Sequence, residues 1–121
     1  MEKVLNIGGK EIKMKSSSAI IFVYRNNFNE DFMIKLIEMN NKMQNLGKEH
    51  EAEALDYEFF LKSAWCMNKL ADDTIPPFEE WLNQFELLEL MQAIPEVIPI
   101  LTGELQQIND KKKLEQTMTN K

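Results

Sequence analysis

The chain has one cysteine and one histidine among its 121 residues. That scarcity removes most of the chemistry a small protein can offer. Cys66 alone makes neither an intramolecular disulfide nor a thiolate metal cluster, and a reducing cytoplasm suits it. His50 stands between Glu49 and Glu51 in a polar connector. Without a second histidine or a cysteine pair it reads as a solvated surface residue, not as a metal ligand or general base. The one Gly-Gly pair, Gly8-Gly9, lacks the spacing and the following Lys-Ser/Thr of a phosphate loop. Asp72-Asp73 and Glu79-Glu80 are paired carboxylates in sequence only, and helix-end electrostatics accounts for them better than acid–base work does. No catalytic residue, cofactor site or metal ligand is therefore assigned, and a non-enzyme is expected.

Positive charge is also short. The net charge is −6, and no basic stripe of the kind a nucleic-acid binder needs is visible. Its distribution is uneven. Lys/Arg against Asp/Glu number eight to six over Met1–His50, two to eleven over Glu51–Leu101 and four to three over Thr102–Lys121. The net negative charge thus lies in the middle half, which suits a basic or hydrophobic protein partner. There is no apolar N-terminal signal region and no apolar run long enough to span a bilayer, so neither export nor anchoring is expected.

Against these absences stands one dense stretch, Ile75-Pro-Pro-Phe-Glu-Glu-Trp-Leu-Asn-Gln-Phe85. The prolines force any preceding helix to end by Thr74. Pro77 is suited to the first position of a new helix, and Glu79 and Glu80 to its first turn. Phe78, Trp81, Leu82 and Phe85 then form one apolar stripe at i, i+3, i+4 and i+7, a core element.

Before that stretch, Lys3–Ile7 and Lys10–Lys15 alternate in the strand period around Gly8-Gly9. This predicts a β-hairpin with Leu5, Ile7, Ile12 and Met14 on one face. Ser16-Ser17-Ser18 supplies a helix cap. Ile20, Tyr24 and Phe28 repeat at i, i+4, i+8, which favours a helix over Ala19–Phe28, with a strand as the alternative its β-branched residues leave open. Asn26-Asn27 is expected to loosen the chain. Asn29 is expected to cap a helix reaching Asn45, with Phe32, Leu36, Met39 and Met43 on its stripe and Ile37 beside them. Gly47 closes that helix. Glu51–Asp72 is the longest helical signal. Its apolar arc holds Leu55, Phe59, Phe60, Ala64, Cys66, Met67 and Leu70, with Trp65 on the flank, so it belongs at the centre of a bundle, with Cys66 buried and inert.

Beyond Phe85 the helical pattern resumes, and a helix continuing through Pro95 and Pro99 is kinked there. Leu87, Leu90, Met91, Ile94, Val97, Ile98 and Leu101 exceed what one small bundle face needs. They offer a surface for a partner, for closing the core, or for a homo-oligomer. Four methionines sit on the stripes, Met39, Met43, Met67 and Met91, as core filler or as an adaptable binding surface. The expected architecture is mainly α: a small helical bundle with an N-terminal β-hairpin. It divides into the hairpin (1–15), the helical body (16–101) and a frayed tail (102–121). The expected core comprises Tyr24, Phe28, Phe32, Phe59, Trp65, Phe78, Trp81 and Phe85.

Four stretches in this order carry a resemblance. They are Leu5-Asn-Ile-Gly-Gly-Lys-Glu-Ile-Lys13, Tyr24-Arg-Asn-Asn-Phe-Asn-Glu-Asp-Phe32, Ala64-Trp-Cys-Met-Asn-Lys69 and Pro77-Phe-Glu-Glu-Trp-Leu82. Together they make the chain similar to the tail assembly chaperones of long-tailed phages (siphoviruses) and prophages of Gram-positive bacteria. The second stretch departs from the family's Tyr-Arg-x-x-Phe-Gly-x-Asp pattern by carrying Asn29 in place of glycine. The resemblance implies a non-catalytic protein of the host cytoplasm, absent from the mature virion. Such a protein binds the long, hydrophobic tape-measure protein and keeps it soluble until tail-tube subunits polymerise around it. It also implies the tail-tube protein and a frameshifted long form of the same chain as further partners. The competing expectation is a small acidic regulatory or antitoxin-like protein-binding module.

Overall fold

A computed structural model describes residues 2–46 and 56–101. The expected Gly47 stop, the His50 connector, Leu55 and the tail from Thr102 lie outside the described residues, as does the side chain of Met43. What is described is mostly helical, with one two-stranded antiparallel sheet at its N-terminal end.

Strands β1 (Glu2–Ile7) and β2 (Lys10–Lys15) pair with Leu5 opposite Ile12 and Lys3 opposite Met14. The two-residue turn needs positive φ at both positions, and Gly8 (+60°) and Gly9 (+84°) supply it. Asn6 Oδ1 accepts from the Gly9 N–H at 2.9 Å, fixing the turn. Leu5, Ile7, Ile12 and Met14 are buried on one face, as alternation predicts.

Helix α1 spans Ile20–Phe28. The serines do not cap it. Ala19 is the N-cap and has no side-chain cap bond, while Ser17 Oγ accepts from the Ala19 N–H one step earlier. Asn26 and Asn27 do not loosen the chain either, for both lie inside the helix, where Asn27 Nδ2 donates to the Val23 carbonyl. Asn29 closes α1 instead of opening α2. It takes the left-handed conformation (φ 54°, ψ 38°) and its N–H donates to the Arg25 carbonyl at 2.8 Å. This is the backbone geometry glycine adopts most readily and asparagine tolerates best among the rest. Asp31 then caps helix α2 (Phe32–Leu46) by accepting from the Ile34 N–H. Phe32, Leu36 and Met39 face inward, while Ile37, expected beside that stripe, is exposed together with Ile34.

Helix α3 runs over Tyr57–Ala71, capped by Asp56, whose Oδ1 accepts from the Phe59 N–H at 3.0 Å. Phe59, Phe60 and every residue from Ser63 to Asn68 are buried. A helix enclosed over so wide an arc must have neighbours on several sides, and α3 touches β2, α1 and the post-proline helix Phe78–Leu82. Trp65, expected on the flank, is as buried as the centre.

Helix α4 is a single short turn, Phe78–Leu82. The expected continuous stripe breaks there, yet Phe85 stays under the same side. The Gln84 and Phe85 N–H groups donate to the carbonyls of Trp81 and Leu82, winding the chain tightly before it straightens. Glu89 Oε1 then accepts from the Glu86 N–H at 2.8 Å, the reach-back half of a capping box. A fifth helix, α5, is described over residues 87–101, and its helical geometry persists through Pro95 and Pro99.

Candidate partner-binding surfaces

The four motif stretches converge in space, through two sets of contacts. The first is built on Asn68, a lone amide on the apolar arc of α3 and buried there. Its Nδ2 donates to the Lys13 carbonyl of β2 at 2.8 Å. Its Oδ1 accepts from the Trp81 indole N–H of α4 at 2.9 Å. One side chain thus ties hairpin, central helix and post-proline turn together, with both ends of the amide satisfied.

The second set is aromatic. Phe28, Trp65 and Phe78 meet edge to face, with centroids 5.6 Å apart for Phe28–Trp65, 5.1 Å for Phe28–Phe78 and 6.4 Å for Trp65–Phe78. These are favoured geometries for ring quadrupoles. The Trp65 indole N–H donates to the Pro76 carbonyl at 2.9 Å, which holds the diproline against α3. On the other side of the core Tyr24 packs among Phe28, Phe32 and Phe59. Trp81 lies against Phe85, whose ring faces the Lys10 ammonium of the hairpin. Of the eight expected core aromatics, Tyr24, Phe32, Phe59, Trp65, Trp81 and Phe85 are buried; Phe28 and Phe78 are half-buried.

Those two half-buried rings, with Leu82, floor an open groove of about 680 Å³ between the end of α1, the start of α3 and α4. Glu58, Glu79 and Glu80 rim it. Among the described residues Lys62 is its one lining cation, and it is already engaged. Its ammonium binds Glu30 at 2.8 Å and Glu58 at 2.6 Å while lying 5.1 Å from the centre of the Phe28 ring. The Lys62 hydrogen bond holds the Glu30 carboxyl below its ordinary range. Burial lowers the Lys62 pKa, but the hydrogen bonds it donates to Glu30 and Glu58 outweigh that and leave the ammonium above its usual value.

A different surface opens α5. Leu87 and Leu88 are 73% and 66% exposed and Met91 36%, three nonpolar side chains within little more than one helical turn. The candidate partner residues therefore divide. Leu90, Ile94, Val97 and Leu101 are buried and close the core; Ile98 is half-buried; only Leu87 and Met91 face solvent. Leu88 was not singled out by pattern, because in sequence nothing separates it from its equally apolar neighbours. Asn68 carried a legible signal, a solitary amide four residues past Ala64 on an otherwise apolar arc.

Chemistry is sparse. Among the described residues no three His, Cys, Asp or Glu side chains are grouped to hold a metal. Cys66 is fully enclosed, and burial pushes its thiol up to about 12. Burial likewise raises the Tyr24 phenol, with Glu30 adding to it. The Tyr24 hydroxyl and Ser63 Oγ lie buried without a hydrogen-bond partner among the described residues. No described helix is long and apolar enough to cross a membrane. Compared with protein-family models, with curated proteins and with solved structures, the chain gives no match.

Proposed function

We propose that this chain is a tail assembly chaperone of a phage or prophage of a Gram-positive host. It acts without catalysis, binding the tape-measure protein and keeping it soluble until the tail tube polymerises around it. The observation that carries the reading is the nonpolar first turn of α5. Leu87, Leu88 and Met91 stand in water on a body whose other large apolar groups are mostly enclosed. Single exposed leucines are ordinary, but a cluster of three marks a surface made for contact. Helix-in-groove capture suits a helical client, and weak contacts repeated by many copies along one long client add through avidity. The order of the four motif stretches supplies the phage assignment. With it come displacement by the tail-tube protein, a frameshifted long form, action in the host cytoplasm and absence from the finished virion.

The test is co-expression with the tape-measure protein of the same tail operon. More of that protein should remain in the soluble fraction with this chain than without it. The gain should shrink when Leu87, Leu88 and Met91 are all changed to serine. Equal solubility with and without the chain sinks the proposal. The acidic rim of the groove favours a second reading, a small acidic regulatory or antitoxin-like binder. That binder forms one compact stoichiometric complex, whereas a chaperone loads many copies per client, and light scattering of the purified complex separates the two.

A further inference from the structure

We infer that the acid-rimmed groove between α1, α3 and α4 receives a partner helix in which lysine or arginine borders a large nonpolar side chain. The inference rests on the protein-binding reading above, but not on the identity of the client or on the α5 surface. Three observations lead to it. The floor is aromatic and half-open: Phe28 and Phe78 are tied to Trp65 yet only half-buried. The rim is unbalanced. Glu58 has Lys62, but Glu79 and Glu80 have no cation in ion-pairing range among the described residues. Helix-end electrostatics does not account for that pair well, since α4 is only five residues long and its dipole is correspondingly small.

The third observation is a contact within the chain that shows how a cation fits this floor. Lys62 lies over the Phe28 ring while binding two carboxylates. A partner's lysine or arginine placed over Phe78 between Glu79 and Glu80 repeats that arrangement on the empty side. The groove is open, which suits the convex face of a helix more than a small molecule, for which enclosed pockets are the rule. Partner leucine or phenylalanine side chains then cover Phe28, Phe78 and Leu82.

The test uses two synthetic amphipathic peptides of about 15 residues, long enough for measurable helicity. Both share one leucine stripe; one carries flanking lysines and the other glutamates. Each is titrated into the nitrogen-labelled full chain and followed by amide and indole NMR signals. The lysine peptide should bind, shifting the Trp65 indole and the amides of Phe78–Leu82, and the glutamate peptide should bind at least about tenfold more weakly. Glu79→Gln with Glu80→Gln touches only exposed side chains and leaves the core alone. It should weaken the lysine peptide about fivefold and flatten its salt dependence. Equal binding of the two peptides, shifts confined to Leu87–Met91, or no effect of the double variant overturns the inference. The chaperone proposal then still stands or falls on tape-measure solubility. If the groove binds the lysine peptide and tape-measure solubility is unchanged, the chaperone proposal alone is lost.

Discussion

The segments on either side of Glu86 are both rich in large nonpolar side chains, and the protein uses them in opposite ways. Before the break, Trp81 is sealed among Asn68, Phe78 and Phe85, and Phe85 lies beneath the Lys10 ammonium. After it, the first turn of α5 points Leu87, Leu88 and Met91 outward, while Leu90, Ala93, Ile94 and Val97 turn inward. Hydrophobicity does not separate the segments. The difference is what each finds opposite it. Residues 78–85 meet a satisfied amide on α3 and the hairpin, whereas the first turn of α5 is held from its other side. There Glu89 caps the helix, its carboxylate so close above Gly8 that a Cβ on that glycine would collide with it.

The largest expected effect breaks the buried side of this comparison. Trp81→Ala removes a fully enclosed indole and should destabilise the fold by about 3–5 kcal/mol, read as a lower urea midpoint. Asn68→Ala comes next, at about 2–3 kcal/mol, because it strands both the Trp81 N–H and the Lys13 carbonyl. Combining Asn68→Ala with Trp81→Phe should cost clearly less than the two single losses added, since both remove the same hydrogen bond. Strict additivity would mean that Asn68 does not join α3 to α4 in solution.

How much of this was legible in the sequence follows from the range of each interaction. The hairpin was, because Gly8-Gly9 and strict alternation fix it locally. So was the core face of α3, whose period is carried by its own residues. The caps were misplaced where neighbours compete. Asn29 and Asp31 are both good caps, and only the left-handed geometry at Asn29 decides that it ends one helix and leaves the next to Asp31. The α5 surface was half legible. Leu87 and Met91 were marked, but so were Leu90, Ile94, Val97 and Leu101, because a helix that is apolar most of the way round does not say which side its neighbours take. The groove was not legible at all. Its walls come from residues near 28, 60 and 80, and no local pattern joins them.

Alkaline titration sharpens the description of the enclosed centre. The folded Cys66 thiol stands at about 12, above its ordinary value near 9. Burial therefore contributes stability that is fully present below the unfolded thiol's pKa and is lost as pH rises from there toward about 12. At about pH 10 the loss should come to somewhat more than about 1 kcal/mol. Lysines also begin to discharge in that range, so the informative quantity is the difference in pH slope from Cys66→Ala. That variant should lose less stability on going from neutral pH to pH 10 in parallel urea melts. Identical slopes would place the thiol in contact with water.

The smallest effect on stability is expected where the functional effect is greatest. Leu87→Ser with Leu88→Ser exchanges two side chains that are mostly in water already, so folding should change by no more than about 0.5 kcal/mol. Leu90→Ser, two residues further on, places a hydroxyl among buried apolar groups and should cost several times as much. The pair is informative because the three leucines are chemically identical and differ only in what surrounds them. If all three substitutions destabilise alike, the first turn of α5 is covered in solution by another copy or another part of the chain, and its exposed leucines are an interface already in use. If only Leu90→Ser does, the first turn is free, and a drop in tape-measure solubility caused by the Leu87/Leu88 variant is then a loss of contact and not a loss of fold.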